Sequence, residues 1–278
     1  MASGFSLDAY LARIGCNAPV APDLASLRRL QAAHVRAIPF EGIDPLVGAP
    51  ISLDSGSIWR KLVESRRGGY CFEQNALFKT ALEAIGFKTT GLGGRVRWMS
   101  PPDSDLGPRE HMLIKVDLPE GPFLVDVGFG ACLIDAPLPL AVGDEHRTEM
   151  GAFRLEAKDG YYWLSAKQPG GWRVMYAFNL EPQIAADYEV GNWYTSTNPR
   201  APFVSFLIVE RLAADRRHKL VNTRYIVEAR DGEPELEITL ASAAELGSKL
   251  AEVFGIVPPV PVEALFAKIT AFQGADRG

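Results

Sequence analysis

Residues 66–80 read Arg-Arg-Gly-Gly-Tyr-Cys-Phe-Glu-Gln-Asn-Ala-Leu-Phe-Lys-Thr, and this segment organises the prediction for the whole chain. Gly68 and Gly69 suit a tight turn into a helix, because glycine adopts backbone conformations closed to other residues and lets other groups approach closely. Apolar residues then recur at helical spacing up to Gly86, which supplies a stop. The pattern predicts a helix that begins at or next to Cys71.

The position of Cys71 favours a reactive thiolate. Unpaired amide N–H groups and the positive end of the helix dipole stabilise an anion at the start of a helix. Most free cysteines are instead small buried hydrophobic residues. Cys71, however, lies at a glycine-rich helix start rather than within the apolar stripe. It is therefore the candidate nucleophile.

A thiol nucleophile needs a base, and the chain has only four histidines. His146 and His218 lie in strongly polar segments. His34 lies on the apolar stripe of a predicted helix, where a hydrogen-bonded structural role is typical. His111 begins the extended run 111–116, so a sheet can hold its ring rigidly, the alternative being a strand end in water. His111 is the candidate base.

Asp126 lies inside the apolar run 123–127, where a carboxylate is costly to bury without hydrogen bonds or an opposite charge. Residues 118–122 can connect this run to the one that His111 begins, as neighbouring strands. Asp126 would then orient the ring of His111, which takes the proton of Cys71. The two side chains share a face only if the strand register gives them the same parity or a bulge corrects it.

The composition is that of an ordinary soluble protein. The 278 residues are 47% hydrophobic and 23% charged, with a formal net charge of −5, which gives no sign of a nucleic-acid-binding surface. No apolar stretch reaches membrane-spanning length, and we expect no signal peptide, because the first six residues lack its basic and hydrophobic regions. The three cysteines are widely spaced, which favours a reducing, cytoplasmic location, and no metal-ligand cluster appears.

The periodicity changes along the chain and predicts an α+β fold. Residues 1–88 form a helical bundle that carries Cys71, and residues 89–180 form a β-barrel that carries His111 and Asp126. A mostly polar connection, residues 181–204, leads to a small α/β region, residues 205–278. Further expected elements are a loop over 39–50, strands over 206–211, 225–229 and 236–240, and helices over 242–254 and 262–272.

Residues 128–130, Gly-Phe-Gly, follow Asp126 directly. A dinucleotide-binding loop is rejected, because the third glycine is missing and prolines follow where a helix should run. A loop with exposed amides and one aromatic ring is still a plausible place to cradle an anionic or planar ligand. Gly128, Phe129 and Gly130 are therefore candidate binding residues.

Several motifs together resemble those of the arylamine N-acetyltransferases. The most specific is Arg67-Gly68-Gly69-Tyr70-Cys71-Phe72-Glu73-Gln74-Asn75. The others are residues 10–15 (Tyr-Leu-Ala-Arg-Ile-Gly), His34 with Pro39-Phe40-Glu41, Arg95-Val96, His111, residues 125–130 (Val-Asp-Val-Gly-Phe-Gly) and residues 195–199 (Thr-Ser-Thr-Asn-Pro). The matches cover most of the first half and one later segment, while the last third carries little signature.

This resemblance implies a helical bundle, a β-barrel and an α/β lid around a Cys-His-Asp core of the papain and transglutaminase type. It implies that acetyl-CoA acetylates Cys71 and that an arylamine or arylhydrazine then accepts the acetyl group, with no metal and no bound prosthetic group. It also implies an aromatic pocket lined by Phe40, Val96, Phe129 and Phe203. Two segments depart from the family pattern, Gly42-Ile43 and Arg200-Ala201-Pro202.

The residues alone leave other functions open, because the same three groups serve water or an amine as acceptor. The alternatives are a cysteine hydrolase or transglutaminase-like enzyme, an amide synthase that uses another acyl donor, and a catalytically silent CoA-binding protein. The physiological amine, the preferred acyl donor, the residues that hold the CoA phosphates and the oligomeric state do not follow from the sequence.

Overall fold

The computed structural model describes residues 4–101 and 103–275, so the extreme ends of the first and last predicted domains lie outside the described residues. The N-terminal part is helical. Its elements are helices α1 (Leu7–Ile14), α2 (Leu24–Ala37), α3 (Ile43–Val47), α4 (Ser55–Trp59) and α5 (Cys71–Ile85), and the two-residue strand β1 (Phe40–Glu41). A π-helical turn, Arg60–Glu64, extends α4.

Local sequence signals set the ends of these helices. The side chain of Asp23 accepts from the backbone N–H of Ser26 at 2.7 Å and starts α2. Gly15 and Gly86 end α1 and α5 in the left-handed region, with φ of 69° and 105°. The predicted helix that starts at Cys71 and stops at Gly86 is confirmed.

The middle of the chain forms an eight-stranded antiparallel sheet that is nearly closed into a barrel, as predicted. Its strands are β2 (Lys88–Val96), β3 (His111–Leu118), β4 (Gly121–Val125), β5 (Leu138–Pro139), β6 (Glu145–Arg147), β7 (Ala152–Lys158), β8 (Tyr161–Gln168) and β9 (Gly171–Phe178). They pair in the order β5-β4-β3-β2-β9-β8-β7-β6. Apolar residues of β3 and β4 also pack with those of α2 and α5 in one core, so the helices and the barrel share an interface.

The C-terminal part combines a second sheet with two helices around its own apolar core. Its elements are β10 (Ile208–Leu212), β11 (Arg217–Val221), β12 (Arg224–Glu228), β13 (Pro234–Thr239), α7 (Ala243–Lys249), continued by a π-helical turn (Leu250–Phe254), and α8 (Val262–Ala275). The overall α+β class is confirmed, whereas the exact domain boundaries stay a prediction. No helix within the described ranges is both long and apolar enough to cross a membrane.

The predicted loop over residues 39–50 is wrong in part, because it contains β1 and α3. Strand β1 pairs with β10, with Phe40 opposite Glu210, so it joins the C-terminal sheet. A two-residue strand whose partner lies far along the chain leaves no periodic signal in the sequence. The consequence is that the helical region and the C-terminal region share one sheet.

The predicted polar connection over 181–204 contains a helix, α6 (Ala185–Thr197). Its buried residues are Gly191, Asn192 and Thr195, joined by the partly buried Tyr188, while Trp193 is 68% exposed. The apolar periodicity that identifies an amphipathic helix is therefore inverted here. Without that stripe, the sequence pattern gave no reason to expect α6.

Strand β11 was also absent from the predicted elements. Its sequence, Arg-His-Lys-Leu-Val, begins with three basic side chains, which are unusual in a strand at the middle of a sheet. The first of them, Arg217, is only 1% exposed and forms an ion pair with Glu210 of the neighbouring strand at 3.0 Å. The buried charge of Arg217, which is unfavourable for a central strand, is therefore compensated by Glu210 on the neighbouring strand.

Candidate active site

Cys71 is the first residue of α5, and the turn before it is held by specific contacts. The backbone N–H of Tyr70 donates to Glu73 Oε2 at 3.1 Å, which satisfies an amide just before the helix. A Cβ on Gly68 would lie 2.1 Å from the backbone oxygen of Pro39, so the two chain segments pass at a distance that only glycine permits. These contacts fix where the helix starts and hence where Cys71 lies.

The loop after β4 packs directly on this helix start. A Cβ on Gly128 would lie 2.7 Å from Cα of Cys71 and 2.8 Å from Nδ2 of Asn75, so a side chain at this position would collide with α5. Asn75 Oδ1 accepts from the N–H of Val127 at 3.1 Å, and its Nδ2 donates to Asp126 Oδ1 at 3.0 Å. One side chain of α5 therefore holds the loop that carries Asp126.

His111 and Asp126 are brought together by the register of β3 and β4. Ile114 lies opposite Val125 in this antiparallel pair. One further step places Asp126 opposite Leu113, two residues from His111 and therefore on the same face of the sheet. The parity condition set by the sequence is met, and His111 Nε2 lies 2.6 Å from Asp126 Oδ2.

Asp126 is completely buried, and its carboxylate accepts four hydrogen bonds. The donors are His111 Nε2 at 2.6 Å and the Tyr176 hydroxyl at 2.9 Å to Oδ2, and Asn75 Nδ2 at 3.0 Å and the Gly128 N–H at 2.8 Å to Oδ1. Burial raises the pKa of Asp126, but the charge of His111 and these hydrogen bonds outweigh burial and hold it below its ordinary value. Asp126 thus remains an ionised acceptor.

The ring of His111 lies between Asp126 and Cys71. An ionised carboxylate only accepts hydrogen bonds, so Nε2 donates to Asp126 and Nδ1 is left for Cys71. Burial lowers the pKa of His111, but Asp126 and then Cys71 outweigh burial and raise it from 6.5 to about 10. Cys71 Sγ also lies 3.7 Å from the backbone oxygen of Glu110. The structure brings the three predicted side chains into one interacting group.

Two polar residues of this group had no assigned role in the sequence prediction. Asn75 was part of the quoted motif, and its place one helical turn after Cys71 is a usable signal, because residues four apart share a helix face. Tyr176 lies in β9 among apolar residues and is completely buried. A buried tyrosine hydroxyl usually forms a hydrogen bond, so a tyrosine inside an apolar strand is a sequence signal for a buried polar partner.

Phe129 and Val96 lie on the barrel side of the group. The ring centroid of Phe129 is 5.3 Å from that of His111, in an edge-to-face arrangement, and 5.3 Å from that of Tyr176. Val96 lies opposite Tyr176 where β2 pairs with β9. Two of the predicted pocket residues therefore border the imidazole or its neighbouring tyrosine.

Phe40 and Phe203 form a second aromatic contact on the side of the C-terminal sheet. Their ring centroids are 5.8 Å apart, and that of Phe203 is 5.7 Å from that of Tyr70, the residue before the cysteine. A Cβ on Gly130 would lie 2.1 Å from the ring of Phe40, so the loop after Asp126 runs flat against that ring. The predicted glycines thus allow the loop to pack between the two aromatic groups.

The two departures from the family pattern both touch Phe203. A Cβ on Gly42 would lie 2.8 Å from Cδ1 of Phe203, so glycine leaves the space that this ring fills. Pro202 begins the short 3-10 turn 202–204 that carries Phe203. The unusual residues therefore set the position of one predicted pocket ring.

His34 has the structural place that its sequence setting indicated. It is fully buried, with Nδ1 2.8 Å from the Tyr10 hydroxyl and Nε2 2.8 Å from Gln74 Oε1. Gln74 Nε2 donates to the backbone oxygens of Pro39 and Gly69 at 2.7 and 3.2 Å, so Oε1 is the atom that faces His34. Through the bond from Gln74 to the oxygen of Gly69, this network holds the turn before Cys71.

A second charged group holds the loop after Asp126 to the C-terminal sheet. Glu210 Oε1 accepts from the N–H of Leu133 at 2.9 Å, and Arg217 Nη2 donates to the oxygen of Leu133 at 3.1 Å. Both charged side chains are at most 1% exposed. The C-terminal sheet is therefore tied by buried ions to the segment that carries Gly128, Phe129 and Gly130.

Comparisons with known proteins agree on one family. A family model described as N-acetyltransferase matches residues 23–260. The arylamine N-acetyltransferase of Mycolicibacterium smegmatis is 40% identical over 253 residues, which cover 90% of this chain and 91% of the relative. A solved M. smegmatis arylamine N-acetyltransferase superposes with a TM-score of 0.90 at 38% identity, covering 96% of this chain and 99% of that one.

A related solved structure contains a ligand. It is the Mycobacterium marinum arylamine N-acetyltransferase in complex with CoA, with a TM-score of 0.90 at 36% identity, covering 95% of this chain and 99% of that chain. Because these matches cover nearly the whole chain, the similarity extends over the helical part, the barrel and the C-terminal part together.

Proposed function

This chain belongs to the arylamine N-acetyltransferase family, and we propose that it transfers the acetyl group of acetyl-CoA to an arylamine through a thioester on Cys71. The observation that carries the proposal is the group formed by Cys71, His111 and Asp126 at the helix start. Its relatives carry the name of the reaction, and one of them is known in complex with CoA.

In the first half-reaction, the Cys71 sulfur attacks the acetyl carbonyl carbon of acetyl-CoA. His111 Nδ1 holds the proton of the thiol, so the attacking group is a thiolate beside an imidazolium. The carbon–sulfur bond to CoA then breaks, and the proton on His111 passes to the leaving CoA sulfur. The raised pKa of His111 supports this assignment, because the ring holds its proton at neutral pH.

In the second half-reaction, the amine nitrogen attacks the thioester carbonyl. His111 accepts the proton that the nitrogen loses, and the bond to Cys71 breaks to release the amide and restore the ion pair. Each tetrahedral oxyanion needs a hydrogen-bond donor, and we assign the backbone N–H of Cys71 to it, since the first amides of a helix lack an intrahelical acceptor.

The finer parts of the proposal concern the acceptor and its setting. We assign Phe40, Val96, Phe129 and Phe203, with Gly128 and Gly130, to the surface that receives the aromatic acceptor. Arylhydrazines belong to the same acceptor class, because their terminal nitrogen is a neutral nucleophile. We place the reaction in the cytoplasm, where free thiols such as Cys16, Cys71 and Cys132 persist.

The test is to isolate the acetylated enzyme. Incubation with acetyl-CoA without amine should add one acetyl mass to the intact protein, and peptide mapping should place it on Cys71. Addition of an arylamine should then remove that mass and give the N-acetyl product.

Two cysteine variants sharpen this test. Cys71→Ser should give no adduct and no product, while Cys16→Ser, which changes a half-buried thiol elsewhere, should behave as the wild type. Product formation by folded Cys71→Ser, or an adduct that stays on the protein when amine is added, would refute the thioester route. Release of free acetate without amide would favour a hydrolase.

A further inference from the structure

A cavity of about 640 Å³ lies on the barrel. We call it the outer cavity; its walls include Trp98, Met99, Trp163, Gln168, Trp172 and Arg173. They come from the loop after β2 and from the hairpin of β8 and β9. Its volume falls within the range of small-molecule sites, about 300–1,000 Å³. Cys71, His111 and Asp126 do not line it.

Aromatic rings dominate the outer cavity. Three of the five tryptophans of the chain line it, and all three are only half-buried. The indole ring of Trp98 contacts two neighbours. Its centroid is 5.9 Å from the ring centroid of Phe129, and the Arg173 guanidinium lies over the indole ring, 5.1 Å from its centroid. Indole faces are large, flat and sequence-independent stacking surfaces for planar ligands.

Arg173 supplies a charge that the protein itself leaves uncompensated. It is exposed, and no ion pair or side-chain hydrogen bond joins it to any of the described residues. Arg154 of the same sheet offers a contrast, because it lies 4.6 Å above the Trp172 ring and also pairs with Glu156 at 3.1 Å. A guanidinium that is stacked but unpaired can still bind an anion through its N–H groups.

From these three observations we propose that the outer cavity binds a planar aromatic ring that carries a negative charge. The ring stacks on the tryptophans, and Arg173 pairs with the anionic group. One molecule of the proposed reaction has this chemistry at a part that does not react: the nucleotide end of CoA, an adenine with phosphates. A small aromatic carboxylate such as 4-aminobenzoate has the same chemistry and would bind here at a site apart from the surface assigned to the reacting acceptor. The Phe129 ring separates Trp98 from His111, at 5.9 and 5.3 Å, so the occupant lies beyond the first ring around the catalytic imidazole.

The experiment is an equilibrium titration of tryptophan fluorescence without turnover. The ligands are adenosine 3′,5′-bisphosphate, 4-aminobenzoate and uncharged aniline. We expect at least one of the two anions to bind, and Arg173→Gln to weaken that binding about tenfold or more, since a hydrogen-bonded charge pair is lost. Aniline, which has no anionic group, should respond to the substitution by less than about twofold.

Arg154→Gln is the matched control, because it removes a stacked arginine from the same sheet whose charge is already paired. It should leave the affinity of either anion within about twofold of the wild type. Loss of adenosine bisphosphate binding in Arg173→Gln identifies the nucleotide as occupant, and loss of 4-aminobenzoate binding alone identifies a small aromatic carboxylate as occupant. The proposal is overturned if neither anion binds, or if every anion that binds does so with the same affinity in Arg173→Gln and in the wild type.

The proposed function is measured separately. Acetylation of Cys71 by p-nitrophenyl acetate, a donor without a nucleotide, should proceed at the wild-type rate in Arg173→Gln. If the acetyl-enzyme forms and the anions do not bind, only the outer cavity proposal fails. If the anions bind with the expected dependence on Arg173 and no acetyl-enzyme forms, only the thioester route fails.

Discussion

Two buried histidines lie on either side of the start of α5, and they have opposite properties. His34 is 0% exposed and His111 is 3% exposed. His34 contacts two neutral groups, the Tyr10 hydroxyl and the Gln74 amide, and burial lowers its pKa to about 4. Burial lowers the pKa of His111 as well, but the carboxylate of Asp126 and the side chain of Cys71 outweigh burial and raise this pKa to about 10.

The comparison shows that burial does not decide whether a histidine can do acid–base chemistry here; the charge of its partner does. Helix α5 serves both rings through adjacent residues, because Gln74 contacts His34 while Asn75 binds Asp126. Neighbouring helix positions point about 100° apart, so one helix can support a neutral network on one side and an ionised network on the other. The His34 network holds the turn before Cys71, and the His111 network is the one that we propose to activate the Cys71 thiol.

The largest expected effect comes from making the two networks alike. Asp126→Asn replaces the carboxylate by an amide whose NH₂ group faces His111 Nε2 when its oxygen keeps the bonds from Asn75 and Gly128. The ring must then carry its proton on Nδ1, where it cannot accept one from Cys71. We expect acetylation of Cys71 to slow on the order of 10⁴-fold, as estimated from the comparable change in a serine protease triad. The rate is measured by quenching the acetylation reaction at successive times and determining the mass of the intact protein.

Asp135→Asn is the control for this change. Asp135 is also a buried carboxylate, 3% exposed, and its Oδ2 accepts from the N–H of Met150 at 3.2 Å. It contacts neither histidine among the described hydrogen bonds, so acetylation should keep its wild-type rate. Equal losses in both variants would show that any buried carboxylate of this region matters and would contradict the special role of Asp126.

The next effect is the pH dependence of unfolding. Stabilisation by His111 is fully present below pH 6.5 and is lost as the pH rises from 6.5 towards about 10, because the folded ring keeps a proton that the unfolded chain releases. His34 has the opposite sign: stability falls as the pH decreases from 6.5 to about 4, because only the unfolded chain binds the proton. Each slope is at most about 1.4 kcal/mol per pH unit.

Urea unfolding of the protein from pH 4 to 10 measures both slopes, with Cys71 kept in place because it contributes to the raised pKa of His111. His111→Gln should remove part of the decline above pH 6.5, and His34→Gln should remove part of the decline below it. Identical pH profiles for the two variants would contradict the assignment of opposite pKa shifts.

A smaller effect should follow from giving His34 a charged partner. Gln74→Glu places a carboxylate at Nε2 and should raise the pKa of His34 above about 4, which NMR titration of the ring protons records. The variant loses the donations to the oxygens of Pro39 and Gly69, so it should also lose about 1–3 kcal/mol of stability. An unchanged pKa in the folded variant would show that the partner's charge is not what separates the two histidines.

The smallest effect comes from a matched pair of tyrosines. Tyr176→Phe removes the hydroxyl that donates to Asp126, and Tyr10→Phe removes the one that contacts His34. A hydrogen bond to a charged group contributes about 1.5–3 kcal/mol and one between neutral groups about 0.5–1.5 kcal/mol. We expect acetylation to slow about tenfold in Tyr176→Phe and to stay unchanged in Tyr10→Phe; the reverse order would break the comparison.

The fold was predictable where the signal is local. The ends of α2 and α5 follow from Asp23 and Gly86, and the barrel strands from alternating apolar residues between turns. Strand β1 and helix α6 were not predictable in this way. The first is defined by a partner about 170 residues away. The second contacts the core through Tyr188, and its buried residues are a glycine, an asparagine and a threonine.

By itself, the sequence singled out the residues to which we assign the chemistry. Cys71 stands out because a helix start stabilises a thiolate, and His111 because the strand that it begins can hold its ring. Asp126 stands out because a carboxylate inside an apolar run is costly without a partner. Only the tertiary structure decided who those partners are. The antiparallel register of β3 and β4 set Asp126 beside His111, and Gly128 let that loop meet α5 at Cys71. Tyr176, Asn75 and the tryptophans of the outer cavity acquire their roles from contacts between distant segments, which sequence spacing does not encode.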